Sequence, residues 1–194
     1  MPRLHGVKER RHQPFWDSLI RTNGDPSPVI ANSTRLFGNA NVGNLALTNL
    51  QVAGQLASDQ TYVILALRCW LYFNGTDRRV LYLGMASQLY FTLNVGDKPQ
   101  FQCPAWYVPA GGGIHGFDSG STTSIFNNGM PTQEAILKLA RPIMVPVRQN
   151  FNVNAEFFTV GTADYRNGAT SLNTATAERV VMFLIDGLQT RDVQ

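Results

Sequence analysis

Three residues of catalytic type fall close together in this chain: His115, Asp118 and Ser119. A hydroxyl, an imidazole and a carboxylate can perform nucleophilic acyl transfer, but only where separate rigid elements hold them in line. Here all three share one glycine-rich stretch, GGGIHGFDSG, and read as a polar loop. Residues 111–116 of that stretch also spell GxGxxG. A dinucleotide-binding loop of that spelling follows a buried strand and opens a helix, so that the pyrophosphate rests on the helix N-terminus. This one follows Trp106-Tyr107-Val108-Pro109-Ala110 and runs into further loop, which argues against nucleotide chemistry.

The other reactive groups are equally scattered. The carboxylates Asp59, Asp77, Asp97, Glu134, Glu156, Asp164, Glu178 and Asp186 are spread over turns and strand faces, and no two are marked as an acid–base pair. Cys69 and Cys103 are far apart in sequence, with no CxxC and no nearby histidine. That spacing gives neither a metal site nor a disulfide framework, and suits two buried thiols. The expectation is a protein that is not an enzyme, takes no cofactor and has no small-molecule substrate.

Charge is concentrated at one end. Of a net +3, residues 1–12 (MPRLHGVKERRH) supply all of it through Arg3, Lys8, Arg10 and Arg11 against Glu9. The remainder sums to zero, is only sparsely charged, and takes its polarity from 15 Asn, 15 Thr and 11 Gln. A neutral, amide-rich body has little electrostatic resistance to self-association. The basic cluster could neutralise about three phosphates, a weak and salt-sensitive contribution that matters only when many copies line a surface. Phe15 and Trp16 need something to bury them, and a neighbouring subunit could do so. Residues 1–28 are therefore expected to be a basic, aromatic arm ending in the breaker run 23–28 (NGDPSP), with a short helix conceivable over 15–21. Its candidate contacts are Arg3, Lys8, Arg10, Arg11, Phe15 and Trp16. No apolar leader core precedes the body, and the expectation is a soluble chain that is not secreted.

The elements that must position these groups are strands. From residue 29 onward hydrophobicity repeats with period two. Phe151, Val153, Ala155 and Phe157 alternate with polar residues, and Val63, Leu65, Leu67, Cys69, Leu71 and Phe73 form an apolar odd face across 61–73. Further strands are expected near 31–37, 46–53, 79–85, 88–95, 99–108, 142–148 and 179–186. Residues 132–140 fit either a helix or a strand. Hairpin turns are expected at 73–77 (FNGTD) and 95–99 (VGDKP). Pro99, Pro104, Pro109, Pro142 and Pro146 indicate edge strands and strand ends. The segments 111–130 and 161–177 are long, glycine- and hydroxyl-rich loops. About eight short strands, at most one or two short helices and no βαβ alternation predict an all-β, antiparallel β-sandwich of jelly-roll type over 29–194.

Within 61–73, Arg68 interrupts an apolar run. It belongs either on the solvent side of a half-exposed sheet or in a subunit interface, where arginine and aromatics such as Trp70, Trp106 and Tyr107 are enriched. Two segments then carry a resemblance. RPIMVPVRQNF at 141–151, leading into the alternating strand, and VVMFLIDGLQTRDVQ at 180–194 resemble patterns in the jelly-roll capsid proteins of bacteriophages, including tailless icosahedral phages. The resemblance implies a structural subunit of a virion, made in the host cytoplasm, whose partners are other copies of itself and other virion proteins. Its arm would reach neighbours or the shell interior, with weak contact to nucleic acid or an anionic membrane. The rival class is a decoration, vertex or spike protein, or a carbohydrate-binding sandwich, working through loops 111–130 and 161–177.

Overall fold

The computed structural model describes residues 8–21, 33–38, 44–56, 59–73, 84–108, 136–158 and 179–192. Among them are nine strands: β1 (Lys8–His12), β2 (Phe15–Arg21), β3 (Ser33–Leu36), β4 (Thr61–Phe73), β5 (Leu89–Val95), β6 (Lys98–Pro104), β7 (Leu137–Val145), β8 (Phe151–Phe157) and β9 (Arg179–Asp192). They form two antiparallel sheets, β1-β9-β4-β7 with β2 also on β9, and β3-β8-β5-β6. The pairs nest: β2 with β9, β3 with β8, β4 with β7, β5 with β6. One long antiparallel ribbon rolled over itself has this pairing, so the sandwich is a jelly roll.

Alternation explains which faces meet. Phe151, Val153, Ala155 and Phe157 are buried along β8, and Val181, Phe183 and Ile185 along β9. Phe91 of β5 packs on Phe183 across the sandwich, with ring centroids 4.6 Å apart. Cys69 and Cys103 lie in the same core, and burial pushes both thiols up, Cys103 to about 12.

The N-terminal residues expected to form an arm are, over 8–21, part of the first sheet. β1 pairs with residues 188–192 of β9 and β2 with 179–185, so together they make one edge strand broken at Gln13-Pro14. Gln13 N–H donates to the Gly187 carbonyl across the break. The short helix conceived over 15–21 is strand β2, because Phe15, Asp17 and Leu19 alternate inward and the backbone is used in the ladder with β9. The division at 28/29 falls outside the described residues.

The odd face of 61–73 is corrected by a bulge at Leu65. Register on β9 jumps from Ile64 opposite Gly187 to Ala66 opposite Asp186. One extra residue exchanges the two faces. Tyr62 and Ile64 therefore point inward before the bulge and Leu67, Cys69 and Leu71 after it, while Leu65 is exposed. Gly187 is what lets the strands close here, since a Cβ on it would meet the Val63 carbonyl oxygen at 2.0 Å.

Other expectations resolve locally. Residues 137–140 and 142–145 belong to one strand, β7, whose bounds are Leu137–Val145 and whose end precedes Pro146, while residues 132–135 lie outside the described residues. β6 and β7 are the sheet edges that accommodate Pro99, Pro104 and Pro142. The turn between β5 and β6 places Gly96 at φ +61, as a tight hairpin with glycine first requires. β6 stops at Pro104 and the chain enters a 3-10 turn, Ala105–Tyr107, so the strand expected over 99–108 is shorter. Residues 84–88 form one helical turn, not the end of a strand over 79–85.

The strand expected at 46–53 is absent. Leu47 and Thr48 N–H close a turn on the Asn44 carbonyl. Asn49 and Thr48 then use side chains to bond the Trp16 backbone along the outer edge of β2. The hairpin at 73–77 and the loops 111–130 and 161–177 lie beyond what is described, apart from Phe73.

Candidate interface on the outer face of the first sheet

Residues directly opposite on neighbouring strands share a face, so the register builds the outer surface of each sheet. On the first sheet one row runs His12, Leu188, Val63, Met144, a second Trp16, Leu184, Arg68, and a third Ser18, Met182, Trp70. Leu188, Val63, Leu184, Met182 and Trp70 are half-buried, and Met144 is 63% exposed. Over residues 180–185 β9 is thus apolar on both faces, as a strand covered on both sides would be. The second sheet is the opposite: Asn152, Asn154 and Glu156 of β8, Asn94 of β5 and Gln102 of β6 face outward. Asn94 and Asn152 hydrogen-bond side chain to side chain at 3.1 Å.

A charged cluster interrupts the apolar rows, and exposed Lys138 of β7 stands opposite Ala66 in the same row as Asp186. Asp186, beside the bulge, takes the Arg68 guanidinium at 2.5 Å on one carboxylate oxygen and His12 Nε2 on the other. Asp186 and Arg68 are both largely buried, 13% and 29% exposed at their side chains, and Arg68 Nε has no hydrogen-bond partner among the described residues. Arg68 therefore belongs to the outer face, joined to a carboxylate that no sequence pattern had marked. Nearby, Tyr62 donates its hydroxyl to the Gln13 carbonyl at 2.6 Å, which fastens the break between β1 and β2. Burial, and then the Asp186 charge, push that phenol far above its ordinary value.

The remaining candidates separate. Phe15 is core, packed edge-on against Tyr62 at 5.0 Å, so this chain itself buries it. Trp16 lies half-buried on the outer face with its indole N–H donated to the Leu45 carbonyl at 3.2 Å. Lys8 and Arg10 are exposed on the outer side of β1, whereas Arg11 turns to the other side and bonds Gln189. Trp106 and Tyr107 follow the end of β6 as an exposed edge-to-face pair 5.9 Å apart, and the carbonyl of the next residue, Val108, accepts from Cys69 N–H, between Arg68 and Trp70, at 2.6 Å. Arg3 lies outside the described residues.

Among the described residues no group of His, Cys, Asp or Glu could hold a metal ion, and no helix is long and apolar enough to cross a membrane. No protein-family model, curated protein or solved structure matches the chain. The jelly-roll assignment rests on its own strand order.

Proposed function

We propose that this chain is a non-enzymatic structural subunit of a bacteriophage capsid, residing in the virion and associating with further copies through the outer face of its first sheet. The observation that carries the reading is the pair of outer faces: one amide-rich, the other apolar at its centre beside the Arg68–Asp186–His12 cluster, with Lys8 and Arg10 of β1 and Lys138 of β7 toward its edges. Apolar area removed from water on association contributes roughly 25 cal/mol per Å², and the core of an interface is poor in charge. The neutral body and the resemblance of 141–157 and 180–194 to phage jelly-roll capsid proteins support the same reading. Lys8 and Arg10, on the outer side of β1, are available for weak contact with nucleic acid or with a neighbour.

A decoration or spike role is favoured by one separate observation, the exposed Trp106–Tyr107 pair. Light scattering across salt and protein concentration, with micrographs of large species, tests the choice. A shell subunit gives sheets, rings or closed shells that grow with concentration. A small closed oligomer that never grows supports the decoration role instead.

A further inference from the structure

A cavity of about 320 Å³ opens where β1, β2 and β9 meet residues 49–56 and Gln60. Amides, five glutamines and Asn49, supply most of its polar lining around a single charge, Arg11, with Phe15, Trp16, Leu50 and Leu56 as the apolar wall. None of the residues lining it is acidic. Glu9, the nearest acid on the same face of β1, is held by Arg191 Nε at 2.7 Å. Among the described residues Arg11 makes no ion pair.

The polar groups are held in place from behind. Gln189 is buried, 2% exposed. Its carbonyl oxygen accepts from Arg11 Nε at 2.6 Å, and its amide N–H donates to Gln60 Oε1 at 2.5 Å. One buried side chain thus orients both neighbours. Arg11 keeps its two terminal nitrogens, and Gln60 its own amide N–H groups, without hydrogen bonds among the described residues. Gln13 spends its N–H on the Pro14 carbonyl and Gln55 spends its N–H on Asn150, so each keeps its carbonyl oxygen as an acceptor. A guanidinium fork matches a carboxylate, and amides offering both donors and acceptors match hydroxyl groups, which are both. The volume lies at the small end of ligand cavities, enough for one sugar ring and too small for a stretch of peptide.

We infer that this cavity is a binding site for a small hydroxylated carboxylate, a sugar acid, with Arg11 taking the carboxylate and the glutamines taking the hydroxyls. The inference is independent of the capsid reading. Titration of the full chain with D-glucuronate, D-glucose and acetate, followed by amide chemical shifts, tests it. Glucuronate should bind saturably, shifting residues of the cavity. Glucose and acetate should each bind about tenfold or more weakly, because each lacks one half of the recognition. Arg11→Gln should weaken glucuronate to the level of glucose and leave glucose unchanged. Gln60→Leu, which lies off the strands and keeps the charge, should weaken both sugars, and it decides the matter if Arg11→Gln fails to fold. Equal binding of glucuronate and glucose overturns the inference. So does unaltered binding in Gln60→Leu, or saturable binding of an aspartate-containing tripeptide with none of glucuronate.

Discussion

The two sheets use the same alternation for opposite ends. In β8 every second residue is core and the others, Asn152, Asn154 and Glu156, meet water. In β9 the core residues Val181, Phe183 and Ile185 alternate with Val180, Met182 and Leu184, which are apolar again. An antiparallel sheet with one solvated face needs only the first pattern. In the proposed function the second pattern is the face that other copies cover, and the Arg68–Asp186–His12 cluster would give that face a fixed polar landmark. Charged groups set orientation and partner choice more than affinity at such surfaces.

The largest expected effects test whether the inner and outer faces of β9 differ as described. Phe183→Ala should cost about 3–5 kcal/mol of stability in urea unfolding, the usual range for emptying an aromatic core position. Leu184→Ala, one residue away, should cost about 1–2 kcal/mol in the monomer, because part of its surface is already solvated. Equal costs would make the outer face a second core and break the comparison. Gly187→Ala comes next, at about 3 kcal/mol, since its Cβ would drive against the Val63 carbonyl and the bulge cannot close. A silent Gly187→Ala would mean that the phase change in β4 has another origin.

Asp186→Asn should cost about 1.5–3 kcal/mol, the usual weight of hydrogen bonds to a charged group, by leaving Arg68 without its carboxylate. The loss should shrink when Arg68→Met is combined with it, which a double-mutant cycle reads directly. The smallest effect concerns the thiols. Burial raises both pKa values in the fold, so the protonated forms are native, and stability is constant below the unfolded thiol value of about 8.5. It should fall as pH rises above that value, because only the unfolded chain releases the protons. Native protein should accordingly react slowly with a thiol reagent at pH 8, and unfolded protein at once. Rapid native reaction would place Cys69 or Cys103 outside the core.

Much of the fold was legible because period-two patterning is strong where one face is wet. β8, β5 and the 95–98 turn were readable from alternation and glycine alone, and the prolines pointed to the edges. Period two failed at Leu65, where a bulge depends on Gly187, more than a hundred residues away in sequence. It failed at 15–21, where local pattern could not say that β9 waits alongside. The segment 46–53 looked strand-like, but Asn44, Thr48 and Asn49 carry its hydrogen bonds through turns and side chains. Arg68 was visible as an anomaly, whereas Asp186 was one acid among many until the register placed it opposite the bulge. The amide cavity gave no local signal, since Arg11, Gln60 and Gln189 come from three separate parts of the chain.

The central claim is that the apolar outer face of the first sheet joins copies of this chain. Sedimentation of the wild-type chain and of Met182→Glu over a wide concentration range tests it most directly. Wild type should grow in mass with concentration, and Met182→Glu should remain monomeric with an unchanged unfolding midpoint. A wild-type chain that stays monomeric throughout, or a variant that associates as well as wild type, would contradict the claim.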